Sequence, residues 1–150
     1  MKKLPILIGL FATLAVPGFA ADDPIAVRQA LMDSNGAAAA VAGGIMKDQI
    51  PYDPVVAKSV ILAWHAVAES YGSFFPEGSI DPARSHASPK IFEDAAGFQK
   101  ELDKFKAGAT AAVAAAGKGG PADKAAFQAA AGPIFDSCKT CHEGFRTKDN

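Results

Sequence analysis

Cys138, Lys139, Thr140, Cys141 and His142 stand together, and they include both cysteines of the chain. Two thiols three positions apart, followed at once by an imidazole, can do only a few things. They can add to the two vinyl groups of a porphyrin while the imidazole binds its iron, the Cys-x-x-Cys-His arrangement of a c-type haem. They can cycle as a redox dithiol, help to hold zinc, or close as a structural disulfide. A redox Cys-x-x-Cys is expected near a strand-to-helix turn in a βαβ pattern, and no strand pattern lies near residue 138. A zinc site normally takes four ligands, and the remaining histidines, His65 and His86, are not in knuckle spacing. A disulfide would close a tiny loop of little entropic benefit. On a helix, positions 138, 141 and 142 lie within an arc of about 100°, so all three side chains project from one face. The motif therefore points to one covalently attached haem c. Cys138 and Cys141 are the thioether residues and His142 is the axial iron ligand. Ligation requires neutral imidazole, with the other ring nitrogen donating to a carbonyl or carboxylate.

A haem held this way needs helices around it, and the chain is rich in alanine and poor in strand patterns. Four helical stretches are expected. The first opens with Asp22 or Asp23 as cap and Pro24 in the first turn, and runs to about Lys47. Its apolar stripe is Val27, Leu31, Ala38, Val41 and Ile45, and Asp33-Ser34-Asn35-Gly36 is its weak point. The second has Asp53 as cap, Pro54 at the first position and Gly72 as its stop, with Val56, Val60, Ala63, Val67 and Tyr71 on the buried face. The third runs from about Asp94 to Ala116 through Phe98, Leu102, Phe105, Ala109 and Ala112, and Gly117 to Pro121 breaks it. The fourth runs from about Ala122 to Arg146. Along it Phe127, Ala131, Ile134, Cys138, Cys141 and Phe145 form one seam, which turns the cysteines toward the interior. Gly132-Pro133 interrupts this helix, and a kink is predicted there. Short loops join stretches one to two and three to four, while the connection from Gly72 to about Ser88 is long. The expected fold class is all-α: an antiparallel up-down-up-down four-helix bundle with the haem near its C-terminal helix.

Met1-Lys2-Lys3, an apolar run from Leu4 to Val16, and small residues at Gly18 and Ala20 read as a signal peptide cleaved after Ala20. The run is shorter than the ~20 residues of a membrane span, so no stable membrane anchor is expected after processing. The expected organisation is a signal peptide over 1–20 and one domain over 21–150. The full chain has 15 basic and 16 acidic residues. Losing Lys2 and Lys3 leaves 13 and 16, a net charge of −3. A mildly acidic domain without a basic tract excludes nucleic acid as an expected partner. Export matches haem attachment, which in bacteria takes place outside the cytoplasm, so the protein is expected in the periplasm.

On these residues the chain resembles the class II c-type cytochromes, the cytochrome c′ family. The resemblance is carried by Arg28-Gln29-Ala30-Leu31-Met32, Pro51-Tyr52, Phe75-Pro76-Glu77-Gly78, Pro89-Lys90-Ile91-Phe92 and the run from Cys138 to Arg146. It departs from the family where Lys90 and Phe92 replace an acidic residue and a tryptophan, and at Pro133. The resemblance implies that Arg28 and Gln29 approach the haem propionates, Met32 and Phe75 line the distal side, and Arg146 sits near the proximal imidazole. It implies a five-coordinate, high-spin haem that binds NO and CO or exchanges single electrons with redox partner proteins, and not an enzyme. It also implies a homodimer through the first two helices, where Ala37 to Ala40 and Gly43-Gly44 would allow close approach. A second reading is a low-spin carrier of the cytochrome c-556 type, with Met32 ligating the iron. A third is a non-haem helical binding module. Read without the resemblance, Arg28 is a solvated charge, Met32 core filler, His65 a partly exposed interfacial residue and His86 a solvated loop residue.

Overall fold

The computed structural model describes residues 23–148. The expected signal peptide over 1–20 and the alternative cap Asp22 lie outside the described residues. Five α-helices are formed among those described: α1 (Pro24–Met46), α2 (Pro54–Ser70), α3 (Lys90–Glu93, a single turn), α4 (Ala95–Ala116) and α5 (Lys124–Phe145).

The helix starts are set by one device used four times. Asp23, Asp53, Asp94 and Asp123 each cap a helix by accepting from backbone N–H groups of its first turn. Pro24 and Pro54 follow two of them, where a missing N–H costs nothing. At the far end of α4, Gly117 takes φ 56° and stops the helix as expected.

Helices α1, α2, α4 and α5 run antiparallel in sequence. Arg28 of α1 reaches Phe74 beyond the end of α2, while Asn35, two turns on, meets Trp64. Glu69 pairs with Lys106 and Lys58 reaches the Lys118 carbonyl, which sets α2 against α4. Thr140 meets Glu101, and Ile134 passes Gly108, which sets α4 against α5. The main core is built from Ala42, Ile45, Ile61, Trp64, Ala109, Phe127, Ala131 and Ile134, with many alanines between them. Each fully buried isoleucine contributes about 1.5–3 kcal/mol, and the alanines let the helices approach closely. A second, smaller core of Ile91, Phe98 and Phe145 lies toward the other end.

Four expectations are corrected. In α1 the buried residues are Ile25, Arg28, Asn35, Ala38, Ala42, Gly44 and Ile45, whereas Val27, Leu31 and Val41 are half-buried. The helix passes through Asp33 to Gly36 without a break. On α2, Val60 and Val67 are buried as expected, but Val56 is 40% exposed, and Ala57, Ile61 and Trp64 complete the buried face. Gly72 is not the stop of α2. The α-helix tightens into a 3₁₀ turn at Tyr71 and runs to Phe74, and Gly72 lies close against α4: a Cβ there would stand 3.0 Å from Leu102 Cδ1. Pro133 does not interrupt α5, which is continuous around it. The carbonyl that Pro133 cannot serve belongs to Ala129, on the exposed side of the helix, where water can satisfy it.

Candidate haem site

A cavity of about 520 Å³ opens between the two cores, with α1 on one side and α5 on the other. Cys138, Cys141 and His142 border it from α5, Arg28, Gln29 and Met32 from α1, Phe75 from the long connection and Arg146 from the residue capping α5. Every residue expected at the haem is thus brought to one cavity, on opposing walls.

The α5 wall is built by helical spacing. Cys138 and Cys141 are free and half-buried, one turn apart, and His142 lies at the exposed rim. Burial pushes both thiols up, Cys141 to about 11, where Glu101 and then Cys138 add to the effect. Burial, with a smaller contribution from Arg146, pulls His142 below its ordinary value. That direction favours the neutral imidazole a metal requires. Beside the motif, the Thr140 hydroxyl donates to Glu101 and accepts from Lys104 Nζ at 3.0 Å, which fastens the motif's turn to α4.

The α1 wall carries Ile25, Arg28, Met32, Asn35 and Ala39 at steps of three and four. Met32 is half-buried and packs against the main core. Arg28 is only 3% exposed. Its Nη1 donates to the Phe74 carbonyl at 2.7 Å and Ser79 Oγ at 2.9 Å, its Nη2 donates to the Ser79 carbonyl at 2.8 Å, and the guanidinium lies 4.5 Å from the centre of the Phe75 ring. Gln29 Nε2 donates to the Arg84 carbonyl at 2.7 Å, and Arg84 pairs with Asp23. The first turns of α1 therefore clamp the long connection across the mouth of the cavity.

An aromatic chain closes the cavity on a third side. Tyr71 packs edge-on against Phe75, Phe75 against Phe98, and Phe98 against Phe145, with centroids 4.8–5.3 Å apart. Burial raises the Tyr71 phenol to about 12. His86 borders the cavity from the connection; its carbonyl accepts from Thr147 N–H at 2.8 Å, and Ser88 N–H donates to the Phe145 carbonyl at 3.0 Å. Ala87 and Arg146 form an isolated antiparallel bridge between them. His65 lies elsewhere, half-exposed and 3.5 Å from Glu69.

Asn35, Tyr71, Glu101 and Phe135 also border the cavity and were not expected there. Asn35 is 8% exposed and its Oδ1 has no hydrogen-bond partner, a state that costs roughly 1–3 kcal/mol. The step pattern 28, 32, 35, 39 on α1 is the signal that could have found it.

The donor set fits a covalently held haem. Two thiols and an imidazole share one face, and an apolar and aromatic cavity stands over them. Among the described residues no group of three or more His, Cys, Asp or Glu could hold a bare metal ion.

Comparison with known proteins agrees. Residues 23–146 match the family described as Cytochrome C'. The chain is 31% identical to a cytochrome c′ of Rhodopseudomonas palustris over 149 residues, covering 97% of this chain and 99% of that one. It is 29% identical to a cytochrome c-556 of the same organism over 153 residues, covering 99% of each. Among solved structures, the nitric oxide complex of a mutant cytochrome c′ from Alcaligenes xylosoxidans superposes with a TM-score of 0.73 at 27% identity, covering 85% of this chain and 95% of that one.

Proposed function

The chain belongs to the cytochrome c′ family, and from that premise we propose that it is a periplasmic high-spin cytochrome whose five-coordinate haem binds NO and CO or passes single electrons. Its cofactor is a covalently attached haem c, which when bound supplies the redox and gas-ligating chemistry of iron. Cys138 and Cys141 tether it through thioethers, and His142 ligates the iron from the α5 side. Arg28 and Gln29 stand at the clamped mouth, where propionates would emerge. Arg146 adds its positive charge to the burial that keeps His142 neutral. The protein acts as a gas-binding or electron-transfer protein rather than an enzyme. Residues 1–20 serve as the export signal, and α1 and α2 provide the surface for a homodimer.

The observation that carries the five-coordinate reading is the placement of Met32: on the wall facing His142, its side chain packs against the main core. The similarity to a nitric oxide complex supports the same reading. The cytochrome c-556 relative, matched over nearly the whole chain, favours a second one, in which Met32 binds iron and closes the site. The optical spectrum of the reduced protein with and without CO tests between them. A high-spin spectrum that changes with CO is expected. A sharp low-spin spectrum indifferent to CO would overturn the five-coordinate reading, and Met32→Ala should then open the site.

A further inference from the structure

α4 borders the cavity with Phe98, Glu101, Leu102 and Phe105, three apolar side chains and one carboxylate. The Glu101 side chain is 19% exposed, so much of its charge is withdrawn from water. Its partners come from two helices. The Thr140 hydroxyl donates to Oε2, Lys104 Nζ donates to that hydroxyl at 3.0 Å, and Nζ lies 4.0 Å from Oε2. Lys104 is 44% exposed and stands outside the cavity lining, whereas Glu101 is part of it. The two charges are therefore ordered, the negative one toward the cavity and the positive one toward water. After burial, Glu101 is also the charge that acts most on Cys141, the residue next to Thr140. Fastening the motif's turn to α4 does not require a carboxylate, because a carboxamide oxygen can accept from Thr140 as well. A half-buried charge on an apolar wall loses solvation, and anchoring alone leaves that cost unexplained.

We propose that Glu101 tunes the reduction potential of the haem: it is a fixed negative charge, held at the thioether edge, that favours ferric over ferrous iron. Oxidised iron porphyrin carries one more positive charge than the reduced form, so a neighbouring carboxylate stabilises it preferentially. Apolar and aromatic walls screen that attraction less than water does. Glu101 gives up neither an electron nor a proton in the step; the electron passes between the iron and a redox partner protein. Thr140 fixes where the charge stands, and Lys104 offsets part of it from the solvent side.

The inference rests on the haem of the proposed function and not on its coordination. A vacant or a Met32-filled sixth position sets the starting potential, and Glu101 shifts it from there. Spectroelectrochemical titration of the haem-loaded protein compares the parent with Glu101→Gln, Glu101→Asp and Lys104→Gln. Glutamine keeps an acceptor for Thr140 and removes only the charge. At the parent's midpoint, Glu101→Gln should raise the ferrous-to-ferric ratio about three- to tenfold, which is ~28–59 mV for one electron. Lys104→Gln should lower the ratio, and Glu101→Asp should stay within about twofold of the parent. Opposite signs report charge, because a loosened turn would admit water in each variant and move them all the same way. Circular dichroism confirms the fold of each. An unchanged midpoint in Glu101→Gln, or a shift in the same direction in Lys104→Gln, would overturn the proposal. If Glu101→Gln does not fold, the Lys104→Gln shift decides: a lowered ratio supports the proposal, and an unchanged or raised one overturns it. The coordination reading stands or falls on the CO spectrum, so the two failures are distinct.

Discussion

Replacing Arg28 by leucine should unlatch the long connection from α1. The side chain is buried, and its three hydrogen bonds, at 2.7, 2.9 and 2.8 Å, reach both Phe74 and Ser79. Bonds from a charged donor contribute about 1.5–3 kcal/mol each, and the stacking on Phe75 adds about 1 kcal/mol. Two effects reduce that gain. Burying the guanidinium is costly, and the same burial lowers its affinity for the proton. In the variant, the loop acceptors can turn to water. A net loss of about 2–4 kcal/mol remains, a fall in Tm of roughly 6–20 °C for a domain of this size. Thermal unfolding followed by circular dichroism on the haem-loaded protein measures it. Hydrogen exchange of residues 74–85 reports whether the connection itself has loosened. Arg28→Lys should recover less than half, because an ammonium cannot serve both segments and stack on the ring. A Tm within about 2 °C of the parent, with unchanged exchange, would refute the clamp. Full recovery by lysine would show that charge, not the planar fork, matters.

Two further outcomes follow from the packing. Pro133→Ala restores a donor to the Ala129 carbonyl in a helix that is already continuous, so the unfolding free energy should rise by about 1–2 kcal/mol, seen as a higher denaturation midpoint with an unchanged m-value; a lower midpoint would mean that the proline shapes the cavity wall. Tyr71 releases its proton near 12 when folded against an ordinary value of 10.0. A raised value means its stabilisation is complete below pH 10 and is lost as pH climbs from 10 toward 12. Tyr71→Phe should therefore unfold less steeply in alkaline titration over that window, and a curve parallel to the parent's would contradict the burial argument.

The helix boundaries and the haem motif were legible in the residues because both depend on local chemistry. Asp-Pro at 23–24 and 53–54, Asp94 and Gly117 act within a few positions of themselves. The inward face of α1 was not legible. Apolar periodicity assigns Arg28 and Asn35 to solvent, but a cavity changes what a buried position requires, and both line it. Gly72 was misread for a related reason: its nearest neighbour is Leu102, thirty positions away, and its backbone does not turn left-handed to stop the helix. Pro133 was read by its intrinsic effect, whereas its cost depends on whether the orphaned carbonyl faces core or water. Met32, Phe75 and Arg146 were placed only through the family resemblance, since each has an ordinary packing or surface role.

The junction of the long connection with the end of α5 has an evolutionary consequence. Ser88 to Phe145 and Thr147 to His86 are joined main chain to main chain, around the bridge of Ala87 and Arg146. Such bonds do not depend on which side chains occupy those positions, proline at a donor excepted. Substitutions there can drift without reopening this edge of the cavity. The side chains around this rim are thus free to vary in charge and shape, while the main-chain seam beneath them keeps the edge closed.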